Sequence, residues 1–275
     1  MNRVFLLSLT FVLVSACNTF SFMEPDSNHL DKCRALADSN DVDAAIDECN
    51  QADPQKADGI VQTELGDLYL RKAGVTLENL SNVFFQKDKG TDIIRTLAES
   101  ILKTHGAVTA EDKTNAANAV TAFGLSGNDF YSTLARLCHI AVLIAYTDND
   151  GRGLPGEGDK KISKADICNA GSCSTPPGVC TEKTDDTNAS NNCDGMNGTD
   201  ASAVYSELMA IQSFIASLTH DTALAGKMSA VDALLNKQIP DPNNPAGPKT
   251  TVGAVTGAKS GDAARLVIYQ MASDN

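Results

Sequence analysis

Tryptophan is absent from this 275-residue chain, and only 5% of its residues are aromatic. Since strands favour aromatic and β-branched side chains, the shortage, together with plentiful Ala and Leu, favours helix packing over a β-sandwich. Basic residues are also scarce: 22 Lys and Arg face 35 Asp and Glu, a net charge of −13. We therefore expect no nucleic-acid binding and no adhesion to anionic lipid through a basic face.

Recognised catalytic motifs are missing as well. The chain has no P-loop, Rossmann glycine pattern, nucleophile elbow or zincin motif. Three of its four histidines, His29, His105 and His220, are scattered along the sequence. The fourth, His139, follows Cys138, but adjacent helical residues point about 100° apart and no orienting partner is evident. We predict that the protein is not an enzyme and requires no cofactor.

The first residues predict export. A short basic start is followed by an apolar run, Val4 to Val14, that is too short to span a bilayer. The run ends in Val-Ser-Ala before Cys17, which resembles the lipobox of bacterial lipoproteins. In that family the cysteine is acylated, for example with palmitate, and becomes the first mature residue. The resemblance implies a signal peptide over residues 1–16 and a lipid on Cys17; ordinary secretion with Cys17 as a plain thiol is the alternative.

The resemblance also bears on localisation. Residues 17–28 are short, polar and proline-containing, and we interpret them as a lipidated tether between the bilayer and the body. More than one acyl chain is needed for stable anchoring. In some bacteria an Asp after the lipidated cysteine retains the protein in the inner membrane, whereas here Asn18 follows Cys17. We therefore expect an outer-membrane lipoprotein that faces the periplasm.

Residues 29–146 predict an all-α fold built from antiparallel helix hairpins. Val42, Ala45, Ile46 and Cys49 follow the i, i+3, i+4, i+7 rule of a helix that buries one face. Periodicity predicts further helices, of which the last is the most apolar and should be central and buried. Their ranges are 77–85, 91–104, 109–123 and 128–146.

Within this region, residues 43–69 resemble a tetratricopeptide repeat. The resemblance rests on Ala45-Ile46, on the exit Ala52-Asp53-Pro54, which is shorter than usual, and on Leu65-Gly66-Asp67-Leu68-Tyr69. It covers about one repeat and half of the next, and implies an α-solenoid or bundle in which small residues allow close helix approach. A generic antiparallel hairpin is the alternative.

The eight cysteines are many for a bacterial chain, and the export signal places them in an oxidising compartment. Cys33 and Cys49 lie eight residues either side of Asp41, the predicted turn, so an antiparallel hairpin brings them level and predicts a disulfide. With Cys17 reserved for lipid, seven cysteines remain and one thiol must stay unpaired. Cys138, in the apolar helix, is the candidate.

Residues 147–198 form a predicted acidic loop, from Asp148 to Asp166, and a cysteine-rich insertion. The acidic loop resembles an EF-hand calcium loop in two incomplete registers. Its candidate ligands are Asp148, Asp150, Glu157, Asp159 and Asp166. The other interpretation is a solvated turn in which Ser163 and Asp166 cap a short helix.

The cysteine-rich insertion has almost no apolar residues, so it cannot form a core of its own. It holds Cys168, Cys173, Cys180 and Cys193, whose spacing lacks the paired Cys-x-x-Cys knuckles of zinc ribbons. We predict disulfides whose pairing the sequence leaves open. Residues 199–275 predict C-terminal helices of the same domain, with an exposed loop over 240–261.

Two functions fit this organisation. The first is a membrane-anchored helical-repeat adaptor or scaffold that binds a protein partner on a concave surface. The second is an accessory of solute uptake, since the design resembles the lipoproteins that form the T component of TRAP transporters. Such an accessory would bind a solute-binding protein or a small ligand.

Overall fold

The computed structural model describes residues 28–76, 79–80, 93–148, 160–162, 164–167, 173–174, 179–180, 196–217, 233, 235–239, 241, 247–257 and 260–271. The chain is all-α, as the sequence predicts, and the strands among the described residues are each two residues long. It divides into two compact units, residues 1–55 and 56–275. The predicted signal peptide and the tether up to residue 27, with Cys17, lie outside the described residues.

The first unit contains a helix hairpin, α1 (His29–Asp38) and α2 (Val42–Ala52). Each helix starts at an N-cap: the side chain of Asn28 accepts from the Leu30 N–H, and that of Asp41 accepts from the Ala44 N–H. Side-chain capping satisfies backbone donors that have no partner in the first turn, which explains why the helices begin there. A turn with a positive φ at Asn40 joins them.

The predicted Cys33–Cys49 disulfide is confirmed. It joins α1 to α2 with the two Cα atoms 5.2 Å apart. Both cysteines are buried, together with Ala45 and Ile46. The hairpin has few other large buried side chains, so the cross-link is a principal part of its core.

The second unit contains the remaining elements. The helices are α3 (Gly59–Lys72), α4 (Ile93–His105), α5 (Ala110–Leu125), α6 (Asp129–Ala145), the short α7 (Lys164–Ile167), α8 (Gly198–Ser217) and α9 (Ser260–Met271). Two antiparallel ladders pair β1 (Cys173–Ser174) with β2 (Val179–Cys180), and β3 (Gln238–Ile239) with β4 (Thr250–Thr251). Much of the predicted helix 77–85 falls on residues that are not described.

Helix α6 is the centre of this unit, as its apolar sequence predicts. It packs against α4, α5 and α8, and its residues from Leu137 to Ala145 are all buried. The Asn128 side chain caps its first turn by accepting from the Tyr131 N–H. A helix that is apolar on most of its circumference must be covered on several sides, and here α4, α5 and α8 cover it.

Two glycines bring α3 and α5 close together. A Cβ atom on Gly66 would lie 2.6 Å from ring carbons of Phe123, and one on Gly59 would lie 2.8 Å from the carbonyl oxygen of Ser126. Both distances are too short for a real Cβ, so the approach depends on the missing side chains. Gly66 belongs to the repeat-like motif, and the residue that fills the space above it is Phe123 of α5.

The predicted exposed loop 240–261 differs in part from the structure. Thr250–Thr251 pairs with Gln238–Ile239, and a 3₁₀ turn follows over Val252–Ala254. Val252 and Val255 are buried, and the Tyr205 hydroxyl of α8 donates to the Val255 carbonyl oxygen. Two isolated valines carry no periodicity, so the sequence pattern gives no sign that this segment packs on the body.

None of the helices in the described ranges is long and apolar enough to cross a membrane.

Candidate functional site

The acidic loop is described only at its two ends. Asp148 and Asp166 are both buried, and Asp148 accepts a hydrogen bond from the Lys160 backbone N–H at 3.0 Å. Asp150, Glu157 and Asp159 lie outside the described residues. Within the described part of the chain, no group of three His, Cys, Asp or Glu side chains is placed to hold a metal ion. The five candidate calcium ligands therefore stay a prediction.

The adjacent pair Cys138 and His139 is not arranged for nucleophilic catalysis. Cys138 is buried and is a free thiol, and burial raises its pKa to about 12. A thiol with that pKa stays protonated at neutral pH and is a poor nucleophile. His139 instead contacts Glu207 of α8, with 3.0 Å between His139 Nδ1 and Glu207 Oε1.

Glu207 lies at the centre of a buried ionic cluster between α6 and α8. Arg136, one helical turn before His139, donates from Nη1 to the second oxygen, Oε2, of the same carboxylate. Burial alone raises the pKa of Glu207, but the hydrogen bonds from His139 and Arg136 and their charges outweigh it, so the pKa lies below its usual range. Because the carboxylate can only accept, the Nδ1 atom of His139 is the donor.

Sequence reasoning missed this cluster, although one signal was available. Glu207 lies three residues after Val204 and four before Ile211, on the face of α8 that the apolar periodicity marks as buried. A charged residue on such a face needs a buried partner. The two partners lie about 70 residues earlier, and no local pattern points to them.

A second ionic contact joins α5 to the start of α8. Lys113 Nζ lies 3.0 Å and 2.8 Å from the two carboxylate oxygens of Asp200. The same ammonium lies 4.0 Å from the ring centroid of Tyr146, and Asn197 donates to Asp200 Oδ2 at 3.0 Å. Asp200 is in the first turn of α8, where the helix dipole also favours a negative charge. Both clusters fix helix positions rather than present a reactive group.

The feature that stands out on the surface is apolar. Among the residues that the structure describes, four large apolar side chains are exposed: Ile60 at 59%, Leu125 at 46%, Phe130 at 44% and Tyr131 at 40%. All four lie at helix ends, at the start of α3, the end of α5 and the start of α6. We call this set the apical patch.

The packing of the backbone brings these helix ends together. Gly59 is the neighbour of Ile60, and Ser126 is the neighbour of Leu125. A Cβ atom on Gly59 would lie only 2.8 Å from the carbonyl oxygen of Ser126, so the two backbones are close. The Tyr131 ring lies 5.6 Å from the buried Phe123 ring and 5.6 Å from the Phe130 ring, measured between centroids. Phe123 thus anchors the aromatic half of the patch on the α3–α5 contact.

The total apolar area that the four side chains expose is large for a small protein. Taking about 200 Å² for each side chain when fully exposed, the four present on the order of 400 Å². A patch of that size is comparable to the largest apolar patch on a typical monomer, which is often functional. Sequence analysis did not single out these residues, although Ile60 stands outside the buried face set by Val61, Leu65 and Leu68.

Two exposed carboxylates lie next to the patch in sequence, and the exposed Lys56 lies two residues before the first of them. Asp58 is the N-cap of α3, where its side chain accepts from the Ile60 N–H at 2.8 Å. Asp129 is the first residue of α6 and directly precedes Phe130. Both carboxylates are exposed. A surface that combines apolar side chains with exposed carboxylates is complementary to a partner that carries apolar and basic groups.

Comparison with models of known protein families, with curated proteins and with solved structures finds no match for this chain.

Proposed function

We propose that the protein is a lipoprotein, anchored through Cys17 to the outer membrane and facing the periplasm, whose helical body binds a protein partner. The lipobox resemblance supports the anchoring, and the observation that carries the binding of a partner is the apical patch. Leaving about 400 Å² of Ile, Leu, Phe and Tyr surface in contact with water costs free energy that a partner would recover. Aromatic anchors are the side chains that most often dominate binding energy at protein interfaces.

The partner we propose is a protein segment with apolar side chains and at least one Lys or Arg. Apolar groups would cover Ile60, Leu125 and the two rings. A cation would lie near Asp58 or Asp129, or over the face of Phe130 or Tyr131, where the ring quadrupole attracts it. The overall charge of −13 also speeds the approach of a basic partner.

Crosslinking in the native envelope, followed by mass spectrometry, tests the proposal. Four forms are compared: the native chain, Cys17→Ser, a triple variant with Ile60→Gln, Leu125→Gln and Phe130→Gln, and the control Ala107→Gln. Glutamine is a good helix former, so the triple variant removes apolar surface without opposing the helices. Ala107 is exposed and lies just before α5, at the end of that helix opposite Leu125, so the control introduces the same side chain away from the patch.

We expect a crosslinked protein partner with the native chain and the control, reduced at least about tenfold in the triple variant. Three interface residues that each contribute about 1 kcal/mol or more account for a loss of that size. Equal capture by the triple variant would exclude the patch as the binding surface. A captured solute-binding protein that the triple variant loses would identify the partner as that of the uptake accessory.

Two further outcomes contradict the proposal. Capture that does not exceed the Cys17→Ser control would remove protein binding at the membrane as the function. Binding of the Cys17→Ser body to neutral phospholipid vesicles, abolished in the triple variant, would assign the patch to the bilayer surface instead. In that case its aromatic side chains would lie at the headgroup level.

A further inference from the structure

Two side-chain contacts join the first half of α1 to the second half of α2, the halves that lie away from the turn. One is the disulfide between Cys33 and Cys49, both of which are buried. In the other, His29 Nδ1 donates to Glu48 Oε2 at 2.6 Å, since an ionised carboxylate can only accept. The chain therefore enters and leaves the hairpin at neighbouring points, with 5.2 Å between the Cα atoms of the two cysteines.

The disulfide is the contact on which the hairpin depends most. Its helices have 10 and 11 residues, and isolated helices shorter than about 12–15 residues are marginal in water. Besides the cysteines, the buried apolar side chains of the hairpin are Ala37, Ala45 and Ile46, of which only Ile46 is large. The His29 side chain is 45% exposed, so its ion pair adds little. Without the cross-link we expect α1 and α2 to separate.

We propose that the Cys33–Cys49 disulfide is a covalent stop that limits how far the second unit extends from its lipid anchor. The inference rests on the proposed acylation of Cys17. Cys33 follows Cys17 by 16 residues, and Cys49 follows Cys33 by another 16. Fully extended, these 32 residues span at most about 106–115 Å. With the disulfide closed the second stretch contributes only 5.2 Å, so covalent geometry alone lowers the limit to about 58–63 Å.

The stop deepens the proposed function because it narrows where a partner can be. The apical patch belongs to the second unit, which follows the hairpin in the chain from Lys56 onward. If the hairpin opened, the 16-residue stretch would become a flexible chain with an end-to-end distance of about 20–24 Å, a gain of about 15–20 Å in typical reach. With the hairpin closed, the patch is restricted to a protein partner that lies at or close to the same bilayer.

Hydrogen exchange tests whether the cross-link holds the hairpin. The native chain is compared with Cys33→Ala/Cys49→Ala, with Cys33→Ser/Cys49→Ser, and with the control His29→Gln, which keeps the disulfide. In both double variants residues 29–52 should lose protection about 100-fold, whereas residues 93–148 should keep theirs. The control should resemble the native chain. Retained protection of residues 29–52 in the double variants, or an equal loss over residues 93–148, would overturn the proposal.

Energy transfer to the membrane tests the reach. The same four chains are reconstituted in neutral phospholipid vesicles that carry an acceptor dye on their headgroups, with a donor dye attached at the exposed Ala107 through a non-natural azide side chain. The donor should lie farther from the bilayer by up to about 15–20 Å in both double variants and at the native distance in His29→Gln.

Mass spectrometry of Cys17 separates the two ways in which this experiment can fail. Equal energy transfer from all four chains, with Cys17 acylated, would overturn the covalent stop but leave the membrane anchor standing. A native chain without an acyl group on Cys17 would overturn the anchor and the stop together.

Discussion

Replacing Glu207 by glutamine tests whether the ionic cluster between α6 and α8 stabilises the fold. The change keeps the size of the side chain and one acceptor oxygen but removes the charge that Arg136 and His139 share. Removing one partner of a buried ion pair costs about 3–5 kcal/mol. Here glutamine keeps one hydrogen bond and the Arg136 side chain is 29% exposed, so water recovers part of the loss. We expect a decrease of about 2 kcal/mol in the free energy of unfolding at neutral pH.

The destabilisation caused by Glu207→Gln should become smaller at low pH. The pKa of Glu207 is lowered in the folded state. The ionised carboxylate therefore contributes its full stabilisation at pH values above its pKa in the unfolded chain, about 4.3. This stabilisation is lost as the pH falls through the pKa of Glu207 in the folded state, because the carboxylate is then protonated in the folded and in the unfolded chain. The difference in stability between the native chain and Glu207→Gln should therefore shrink below about pH 4.

Urea unfolding followed by far-UV circular dichroism at several pH values measures this difference. The matched control is Glu111→Gln, because Glu111 forms an exposed ion pair with Lys72, 3.1 Å between Oε1 and Nζ, with the glutamate side chain 70% exposed. An exposed pair contributes about 0–1 kcal/mol. If Glu207→Gln destabilises the chain no more than Glu111→Gln, or its effect grows at low pH, the cluster does not act as described.

Two other predictions rest on the fold, and a third rests on the sequence of the acidic loop. Gly66→Ala places a methyl group 2.6 Å from ring carbons of Phe123 and should lower the free energy of unfolding in urea by about 1–3 kcal/mol. The control Gly124→Ala, whose methyl group would have nothing within 4 Å, should leave that free energy unchanged or raise it by up to about 1 kcal/mol. Equal effects of the two variants would contradict the close approach of α3 and α5. Replacing both cysteines of the α1–α2 disulfide by serine should destabilise that hairpin by about 3 kcal/mol in the chain-entropy model, measured as faster proteolysis between the two helices. If the acidic loop binds calcium, a concentration about 100-fold above the dissociation constant should stabilise the chain by about 2.7 kcal/mol, raising its melting temperature reversibly; identical melting curves with calcium and with chelator would exclude that site.

The elements that sequence analysis predicted are those fixed by local patterns. Helix α6 is recognisable because nearly every residue from Leu137 to Ala145 is apolar. The hairpin disulfide is recognisable because Cys33 and Cys49 are equidistant from a turn. In both cases the residues that define the pattern lie within about 20 residues of one another. Over that distance the geometry of a helix predicts from their spacing which residues share a face or lie opposite each other.

The features that the sequence did not reveal depend on contacts between distant segments. Glu207 meets Arg136 and His139 across about 70 residues, and Lys113 meets Asp200 across 87. The apical patch joins the turn between α5 and α6 to the start of α3, which approaches it only after α3 and α5 pack through Gly59 and Ser126. Periodicity shows which face of a helix is buried, but it does not show which helix covers that face or what remains exposed at its ends.

The polar clusters and the apical patch lie in different parts of the body, and this separation makes the binding experiment interpretable. Lys113 precedes Leu125 by 12 residues on α5, which is about 18 Å along the helix. Arg136 and His139 lie six and nine residues beyond Phe130 on α6. Ile60, Leu125 and Phe130 contribute to neither cluster, so the free energy of folding does not depend on them in the way it depends on Glu207 or Gly66. Tyr131 differs because its ring contacts the buried Phe123, so its replacement would mix a folding effect with a binding effect. A loss of partner in a triple variant that leaves Tyr131 intact therefore reports on the surface itself.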